Sequence, residues 1–542
     1  MSRLSPRQRT ALVVGLVVVA FVLPLRGQLR NQGPPMEEGF MLVFPEMVLE
    51  GLVPNRDFLH LYGPGSLWVL AGVFKAFGTS LAAERLVGLA QQAGLVLGVL
   101  AVARLWGHTV ALCAALVALV VIVPPIGLTA LAWVGAVAFG LWAVHLGLRA
   151  RFADDPRRAT RLAAGAGVLA ACALLYRPDL ALALTLGSAA VVRGMPWSRI
   201  KPALIGLGAG LSLYLVHLAM AGPGNAIKGM VLDPVVYLRG GRRLPIPPSP
   251  DGFQGFLQRA GDLYPFGWPL PMIDPPAQLT VWFFALPLSI VAIIVIAVRA
   301  GRRDPSSVRA RTLLAVGLFC LGLLPQAIQR ADSTHLAWVS AVPFGMLACA
   351  VCEGLRARVR RRQLIAGGAV FLAVMLLIPA FTTRTYSEMV AQTFGHHRLA
   401  FRIQHRDRTF YYGRADVARA MPPLLRDIEE VSEPGDRLLV GTSDLRFTPY
   451  SDAFLYYLLP QLEVGTYYVE MDPGVANREG SKLADDVAAA DVIVLSSVWD
   501  DWDEPNDSRK AGSDEPNRIL RERFCEVDTY EGLFQLFERC RR

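Results

Sequence analysis

Two adjacent carboxylates stand early in the chain, in the run Met36-Glu37-Glu38-Gly39-Phe40. They follow an apolar stretch and begin a segment whose apolar residues recur at helical spacing. A carboxylate within hydrogen-bond reach of an alcohol can act as a general base. Two neighbouring carboxylates in a partly dry site repel each other, which raises the pKa of one unless an arginine or a metal ion offsets the charge. The alternative is a solvated pair that complements the N-terminal dipole of a surface helix.

Two arginines stand where apolar stretches end, close to the expected depth of lipid headgroups. Arg177 is followed by Asp179, and Arg330 by Asp332 and His335. The forked donors and permanent charge of arginine suit phosphate groups, and Asp332 could orient either Arg330 or His335. The alternatives are an interfacial arginine in an ordinary turn at Arg330 and a structural salt bridge between Arg177 and Asp179.

Other polar residues give weaker indications. Arg56 and Asp57 fit either an acceptor site or, more simply, an ion pair that folds their loop. Cys525 and Cys540 are the only cysteines in the last part of the chain, beside two β-like runs, and are candidates for a disulfide in an oxidising compartment. No HExxH, CxxC or histidine cluster marks a metal site.

The composition indicates a membrane protein. The chain has 542 residues, of which 53% are hydrophobic and 18% charged, and its mean hydropathy is +0.39. That leaves too little polar surface for a water-soluble globule, so we expect a polytopic membrane protein. Cations outnumber acids in residues 1–383 and acids outnumber cations in residues 384–542, which predicts two regions in two solvents. Nucleic acid is therefore not an expected partner.

Eleven apolar segments are candidates for membrane-spanning helices, because a bilayer core needs about 20 apolar residues per helix. Residues 162–193 are either two short spans or one re-entrant unit. Arginines cluster at alternate ends of the segments. This pattern predicts that the N-terminus is cytoplasmic and that residues 384–542 lie outside the cell membrane. The approximate spans are 10–26, 82–103, 108–124, 127–148, 162–176, 180–193, 203–221, 278–298, 312–329, 336–352 and 363–383.

Two of the predicted outer loops are long enough to form structure of their own. Residues 27–81 contain apolar helices too short to span, which can lie on the bilayer surface. Residues 222–277 form a long loop whose arginines, Arg239, Arg242 and Arg243, fit a basic rim for anionic lipid or plain disorder.

The exported tail has an α/β pattern. A helical pattern at 415–432 precedes a strand at 437–442, and a second helix at 482–489 precedes a strand at 491–496, which implies parallel pairing. A helix at 518–524 and β-like runs at 525–530 and 533–539 follow. The predicted fold is thus an α-helical polytopic membrane domain, 1–383, with a C-terminal extracytoplasmic α/β domain, 384–542.

The segment from Glu37 to Arg85 carries a recognisable order of motifs. It runs acidic-acidic-Gly, a short helix, Gly-x-x-Pro-x-Arg-Asp-Phe from Gly51, Tyr-x-Pro-Gly from Tyr62, and a short apolar segment that ends in Phe-Gly. This order resembles the first outer loop of GT-C fold glycosyltransferases that depend on polyprenyl-phosphate sugars, of the family 39-like kind. The tail, with Glu470-Met471-Asp472-Pro473-Gly474, is similar to tails of actinobacterial members and adds no chemistry.

The resemblance implies specific roles. It implies that Glu37 is the catalytic base, with Glu38 beside it, at a position where the family usually has Asp. It implies a polyprenyl-phosphate sugar donor and transfer with inversion to an envelope glycan, lipid or protein. The phosphate that departs needs a cation, and the positions of Arg330 and Arg177 at the ends of spans make them the candidates. The supporting residues would be Arg56, Asp57, Asp179, Asp332 and His335.

The resemblance leaves the metal requirement open. Several family members carry a second acid in the next outer loop that helps bind a divalent cation, whereas Pro124-Pro125-Ile126 has none. No cofactor is therefore assigned, and a divalent cation stays open. The expected location is the bacterial plasma membrane, with the active site on the outer face.

Two other functions fit the composition. A transporter or flippase for a lipid-linked or envelope precursor also needs many apolar spans with few charges. Against it, the charged residues cluster at the outer ends of the spans and the chain shows no internal repeat. A catalytically inactive scaffold with a partner-binding domain is the third interpretation, since fold likeness alone does not establish function.

Overall fold

Apolar helices make up most of the first 393 residues, and a mixed sheet with flanking helices makes up the rest. The structure is a computed structural model that describes residues 5–248, 273–357, 359–396, 400–501 and 504–540. Residues 249–272, which belong to the predicted long loop 222–277, lie outside the described residues.

The helices of the first part follow one another through short turns. Short 3-10 turns lie at Arg104–Trp106 and Pro178–Leu180, and π-helical segments at Lys228–Tyr237 and Ala380–Arg384. In chain order the helices are α1 (Pro6–Leu29), α2 (Pro35–Leu49), α3 (Gly65–Phe77), α4 (Leu81–Ala103), α5 (His108–Ile126), α6 (Ala132–Arg151), α7 (Pro156–Tyr176), α8 (Ala181–Val192), α9 (Trp197–Leu211), α10 (Leu213–Ala221), α11 (Pro223–Ile227), α12 (Leu238–Arg242), α13 (Pro275–Arg303), α14 (Val308–Gln329), α15 (Ser333–Gly354), α16 (Arg360–Leu377) and α17 (Thr385–Thr393).

The polytopic helical fold is confirmed, with fewer spans than the eleven predicted. Within the described ranges, nine helical segments are long and apolar enough to cross a bilayer. A tenth span is reached only if α16 and the helical segment 380–393, which are bent by 88° at their junction, count as one. The sequence estimate also counted α8, which has only 12 residues.

The helix α8 nevertheless reaches the far end of the bundle. Arg311, in the first turn of α14, donates to the carbonyl of Ala190 at 3.1 Å, and Arg151, at the end of α6, donates to that of Val191 at 2.8 Å. The start of α8 follows Arg177 directly. These contacts favour two antiparallel helices over a re-entrant unit for residues 162–193.

The predicted outer loop, residues 27–81, is covered by other parts of the protein. Most of α2 is buried, and it packs against α3 and against the helix Phe454–Leu458 of the last part of the chain. Gly39 lies so close to that helix that a Cβ would come within 2.8 Å of the backbone nitrogen of Phe454. The apolar spacing predicted the helix α2, but not that a distant segment would cover it.

The last part of the chain is α/β, as predicted. Its helices are α18 (Ala415–Val431), α19 (Phe454–Leu458), α20 (Leu483–Ala489) and α21 (Glu515–Arg523), with a 3-10 turn at Asp507–Arg509. Its strands are β1 (Phe401–His405), β2 (Arg408–Tyr412), β3 (Arg437–Thr442), β4 (Glu463–Val464), β5 (Val492–Ser496), β6 (Phe524–Tyr530) and β7 (Phe534–Arg539). The strands β1 and β2 form an antiparallel pair, and the other five form one sheet in the order β4-β3-β5-β7-β6.

The pairing within this sheet follows from the order of helices and strands. The helix α20 returns the chain so that β3 and β5 pair in parallel, with Leu438 opposite Val492, as the sequence predicted. The strands β6 and β7 form an antiparallel hairpin, and a disulfide joins Cys525 to Cys540 across it. Helical structure continues to Thr393 and the first strand begins at Phe401, so the predicted boundary at residue 383 stays a prediction.

Candidate active site

A charged cavity of about 260 Å³ lies between the helical part and the α/β part. The helical part contributes residues at the start of α2 and just beyond the ends of α7 and α14. The segment 228–242 and the α/β part supply the remaining charges. The charged residues that line the cavity are Glu37, Arg177, Asp179, Arg239, Arg242 and Arg330, with Glu470 and Asp472 from the α/β part.

Glu37 lies in the first turn of α2, which Pro34 and Pro35 start. Burial raises the pKa of its carboxyl to about 7, although its own backbone N–H, Arg242 and Arg330 each act in the opposite direction. Within the described residues it forms no ion pair. Glu37 is therefore a carboxylate placed in the cavity and available to a ligand, with a pKa suited to proton transfer near neutral pH.

Glu38 is turned away from the cavity although it is the next residue. Its carboxylate accepts two hydrogen bonds from Arg85, from Nε at 2.7 Å and from Nη2 at 2.8 Å. Both side chains are almost completely buried. Arg85 also donates to the carbonyls of Gln28 and Asn31, at 3.0 and 2.8 Å. The pair thus fixes the start of α2 to α4 and to the end of α1, and it does not line the cavity.

Arg330 lines the cavity, but its side-chain donors already form hydrogen bonds within the protein. Its Nε donates to Asp332 at 2.7 Å and its Nη1 to Glu504 at 2.9 Å. Nη1 also donates to the carbonyl of Arg242, and Nη2 to the hydroxyl of Tyr450 at 3.2 Å. Four residues therefore hold this guanidinium in place.

Asp332 contacts both Arg330 and His335, whereas the sequence predicted only that it could orient one or the other. Its Oδ1 accepts from the backbone nitrogen of His335 at 2.8 Å and lies 2.9 Å from Nδ1 of the ring. Burial alone would raise the pKa of Asp332, but His335 and Arg330 hold it below its ordinary value. Asp332 therefore caps α15 and orients both neighbours.

Arg177 presents an unused donor. Asp179 accepts from its Nε and Nη2 at 2.9 and 2.6 Å, and the guanidinium lies 4.4 Å from the ring centre of Tyr62. Its Nη1 is buried and has no hydrogen-bond partner within the described residues. The predicted salt bridge is thus present, and it leaves one donor for a ligand.

Arg242 is a second arginine of this kind. Its Nη2 donates to Asp472 at 3.2 Å and its guanidinium lies 4.2 Å from the ring centre of Tyr450. Its Nη1 is also buried without a partner in the described part of the chain. The sequence indicated Arg242 only as part of a basic rim, whereas the structure brings it beside Arg330 through the π-helical segment 228–237 and α12.

Arg56 and Asp57 lie outside this lining. Arg56 donates to Asp57 from Nε at 3.0 Å and from Nη2 at 2.7 Å, and Asp57 accepts from the backbone nitrogen of Val53 at 2.7 Å. This is the loop-folding ion pair that the sequence offered as the simpler alternative.

The α/β part supplies residues that sequence reasoning did not assign to the site, namely Tyr450, Glu470, Asp472 and Glu504. Glu504 is buried, and although burial raises its pKa, Arg330 lowers it below the ordinary value of a glutamate. Within the described residues, no group of three or more His, Cys, Asp or Glu could hold a metal ion.

Solved structures of ArnT resemble the whole chain. No family model and no curated protein matches it. ArnT from Cupriavidus metallidurans bound to undecaprenyl phosphate is 12% identical with a TM-score of 0.56, and the match covers 98% of each chain. ArnT in the apo state is 13% identical with a TM-score of 0.50 over 97% of each chain. ArnT is a GT-C protein, so the similarity predicted from the first outer loop is confirmed at the level of architecture: the chain has the GT-C fold.

Proposed function

We propose that the protein is an integral membrane glycosyltransferase that moves a sugar from a polyprenyl-phosphate donor to an acceptor hydroxyl. The observation that carries the proposal is one cavity in which, among the described residues, a carboxylate forms no ion pair and two arginines each have an unused donor. A donor must contact the base and the phosphate-binding groups together, so these groups have to share a cavity. Neither transport nor scaffolding requires that combination.

Glu37 is the general base of the proposed reaction. Its carboxylate takes the proton of the acceptor hydroxyl while the hydroxyl oxygen attacks the anomeric carbon. The bond from that carbon to the phosphate oxygen breaks, and both electrons leave with the polyprenyl phosphate. Attack from the face opposite to the phosphate inverts the anomeric configuration. Glu38 serves this reaction indirectly, because its ion pair with Arg85 fixes the first turn of α2.

Arg177 and Arg242 bind the donor phosphate in this proposal. Their unpartnered Nη1 groups can stabilise the negative charge that develops on the leaving phosphate. Arg330 adds positive charge to the same wall of the cavity, although Glu504 and Asp332 already bind its donors. The undecaprenyl phosphate bound to ArnT supports a lipid of this class as the carrier.

The acceptor is proposed to be a hydroxyl of an envelope glycan, lipid or protein. The arginine-rich turns at the far ends of the helices support a cytoplasmic face there, and hence a cavity on the outer face of a plasma membrane. In that orientation the N-terminus is cytoplasmic and the α/β part is extracytoplasmic.

A transfer assay in membranes tests the proposal. Radiolabelled polyprenyl-phosphate sugars are supplied to wild type, Glu37→Gln and Glu50→Gln at matched expression. Glu50 is an exposed acid at the other end of α2 and serves as the control. Removing a general base lowers turnover by a factor of about 100 or more, so Glu37→Gln should lose transfer while Glu50→Gln keeps it.

Two other results would count against the proposal. Equal transfer by wild type and Glu37→Gln would remove this carboxylate from the mechanism. Transfer from no donor in the set would favour the transporter or scaffold alternatives.

A further inference from the structure

The wall of the cavity that belongs to the α/β part carries two carboxylates, Glu470 and Asp472, which the mechanism above does not use. They lie in the loop between β4 and α20 and both line the cavity. Their exposed fractions are 8% and 3%. Both residues are more than 400 positions after Glu37 in the sequence, and the fold places them in the same cavity.

Both carboxylates have an oxygen without a hydrogen bond. Oδ1 of Asp472 accepts from Arg242, but Oδ2 of Asp472 and Oε1 of Glu470 have no partner within the described residues. A buried acceptor without a partner destabilises the folded protein, and such atoms in folded proteins commonly mark a place for a ligand or a water. A ligand with several donors would satisfy both oxygens.

The position of the two acids decides what kind of ligand fits. Asp472 shares Arg242 with the phosphate site, so a group bound by the acids lies next to the phosphate. A phosphate diester offers no donor to a carboxylate and is repelled by it. The hydroxyl groups of a sugar attached to that phosphate are donors at the right place, and carboxylates accept well from them.

We propose that Glu470 and Asp472 form the sugar subsite of the donor, each accepting a hydrogen bond from a hydroxyl of the glycosyl group. The inference rests on the proposed function and deepens it. The acids bind the sugar of the donor before transfer, and the bare lipid phosphate that remains after transfer lacks those hydroxyl groups. The α/β part therefore selects the sugar-bearing donor over its own product.

Binding measurements on the full-length protein in lipid nanodiscs test the subsite. The probes are undecaprenyl phosphate and the same lipid carrying mannose, glucose or arabinofuranose. For at least one sugar, wild type should bind the sugar-bearing lipid about 10-fold or more tightly than the bare lipid, as expected for hydrogen bonds to buried carboxylates.

Three variants separate the sugar contacts from the phosphate contacts. Glu470→Ala and Asp472→Asn should lose most of that preference, and each should bind bare undecaprenyl phosphate at least as tightly as wild type. Burial raises the pKa of Glu470, so alanine tests the contact itself rather than the charge. Glu479→Gln, an exposed acid of the same region, is the matched control and should behave like wild type.

The remaining outcomes overturn the inference or the function beneath it. A preserved sugar preference in both variants would overturn the subsite, as would an equal loss of affinity for the bare and the sugar-bearing lipids. A wild type that prefers no sugar-bearing lipid would overturn it as well. If wild type does not bind undecaprenyl phosphate at all, or if Arg177→Ala leaves that binding unchanged, the proposed function itself fails.

Discussion

Substituting Glu38 by glutamine should destabilise the protein without removing the proposed catalytic base, Glu37. The wild-type carboxylate accepts from Arg85 at 2.7 and 2.8 Å, and the two side chains are 0% and 1% exposed. Glutamine keeps the volume but has one acceptor oxygen instead of two and no charge. Arg85 would then be a buried cation with a lost partner.

The size of the effect follows from these contacts. Removing one partner of a buried ion pair costs about 3 to 5 kcal/mol. The carbonyls of Gln28 and Asn31 still accept from Arg85 in the variant. We therefore expect a loss near the lower limit, about 3 kcal/mol in the free energy of unfolding.

The assay compares thermal unfolding in detergent with turnover per folded molecule. Glu38→Gln should lower the unfolding midpoint clearly and keep most of its turnover. Glu37→Gln should show the reverse, with a midpoint close to wild type and turnover lowered by a factor of about 100 or more. The double variant Glu38→Gln, Arg85→Gln should regain part of the stability, because the uncompensated charge is gone.

One result would refute this reasoning. If Glu38→Gln unfolds at the wild-type temperature and has lost its turnover, Glu38 is the base and the pair with Arg85 is not the support of α2. A double variant that is less stable than Glu38→Gln alone would show that the cost does not come from the buried charge.

Three further predictions concern the cavity. Burial raises the pKa of Glu37 to about 7, and a base acts only when deprotonated, so kcat/KM for transfer should rise with pH through about 7; a flat profile from pH 5 to 8 would contradict this. Arg242→Ala should raise KM for the lipid donor by a factor of about 10 or more, since it removes a charge-assisted contact, whereas alanine at the exposed Arg243 should change KM little in the same assay. Glu504→Gln should weaken the attachment of the α/β part to the helical part, because it removes the charge that pairs with Arg330. Limited proteolysis should then cleave the α/β part faster than in wild type.

The sequence predicted the elements of the α/β part well because their signals are local. The strands β3 and β5 are short apolar runs that follow amphipathic helices, and this order requires a parallel pair. The observed bounds, Arg437–Thr442 and Val492–Ser496, lie within one residue of the predicted ones. A β-hairpin with neighbouring strands is also a local feature, which is why β6 and β7 were predicted.

The helical part was harder to predict from the sequence where the length of a helix or its burial by distant segments determines the structure. The segment that became α8 has 12 residues and looks too short to span, yet its end reaches Arg151 and Arg311. The helix α2 shows an apolar stripe, but the cover over its remaining faces comes from Phe454–Leu458, far along the chain. Apolar spacing gives the position of a helix and says nothing about which distant segment packs on it.

The same distinction explains which site residues were predicted. Glu37, Arg177 and Arg330 stand at the ends of apolar segments, and alternating spans place such ends on one face of the membrane. Glu470 and Glu504 lie in loops that look like ordinary solvated acids. Their burial depends on the packing of the α/β part against segments that are 170 or more residues earlier, which no local pattern reports. The one available signal was the opposite net charge of the two regions.

That opposite charge also means that the two regions depend on each other. Glu504 and Asp472 accept from Arg330 and Arg242 at the boundary, and all four groups are largely buried there. Without the α/β part, both arginines would lose carboxylate partners, and the cavity would lose one of its walls. A chain ending at Thr393 should therefore bind the donor much more weakly than wild type, because Arg242 loses Asp472 and Arg330 loses Glu504, while Arg177 keeps Asp179. Donor binding by that shortened chain at wild-type affinity would show instead that the helical part builds the phosphate site alone.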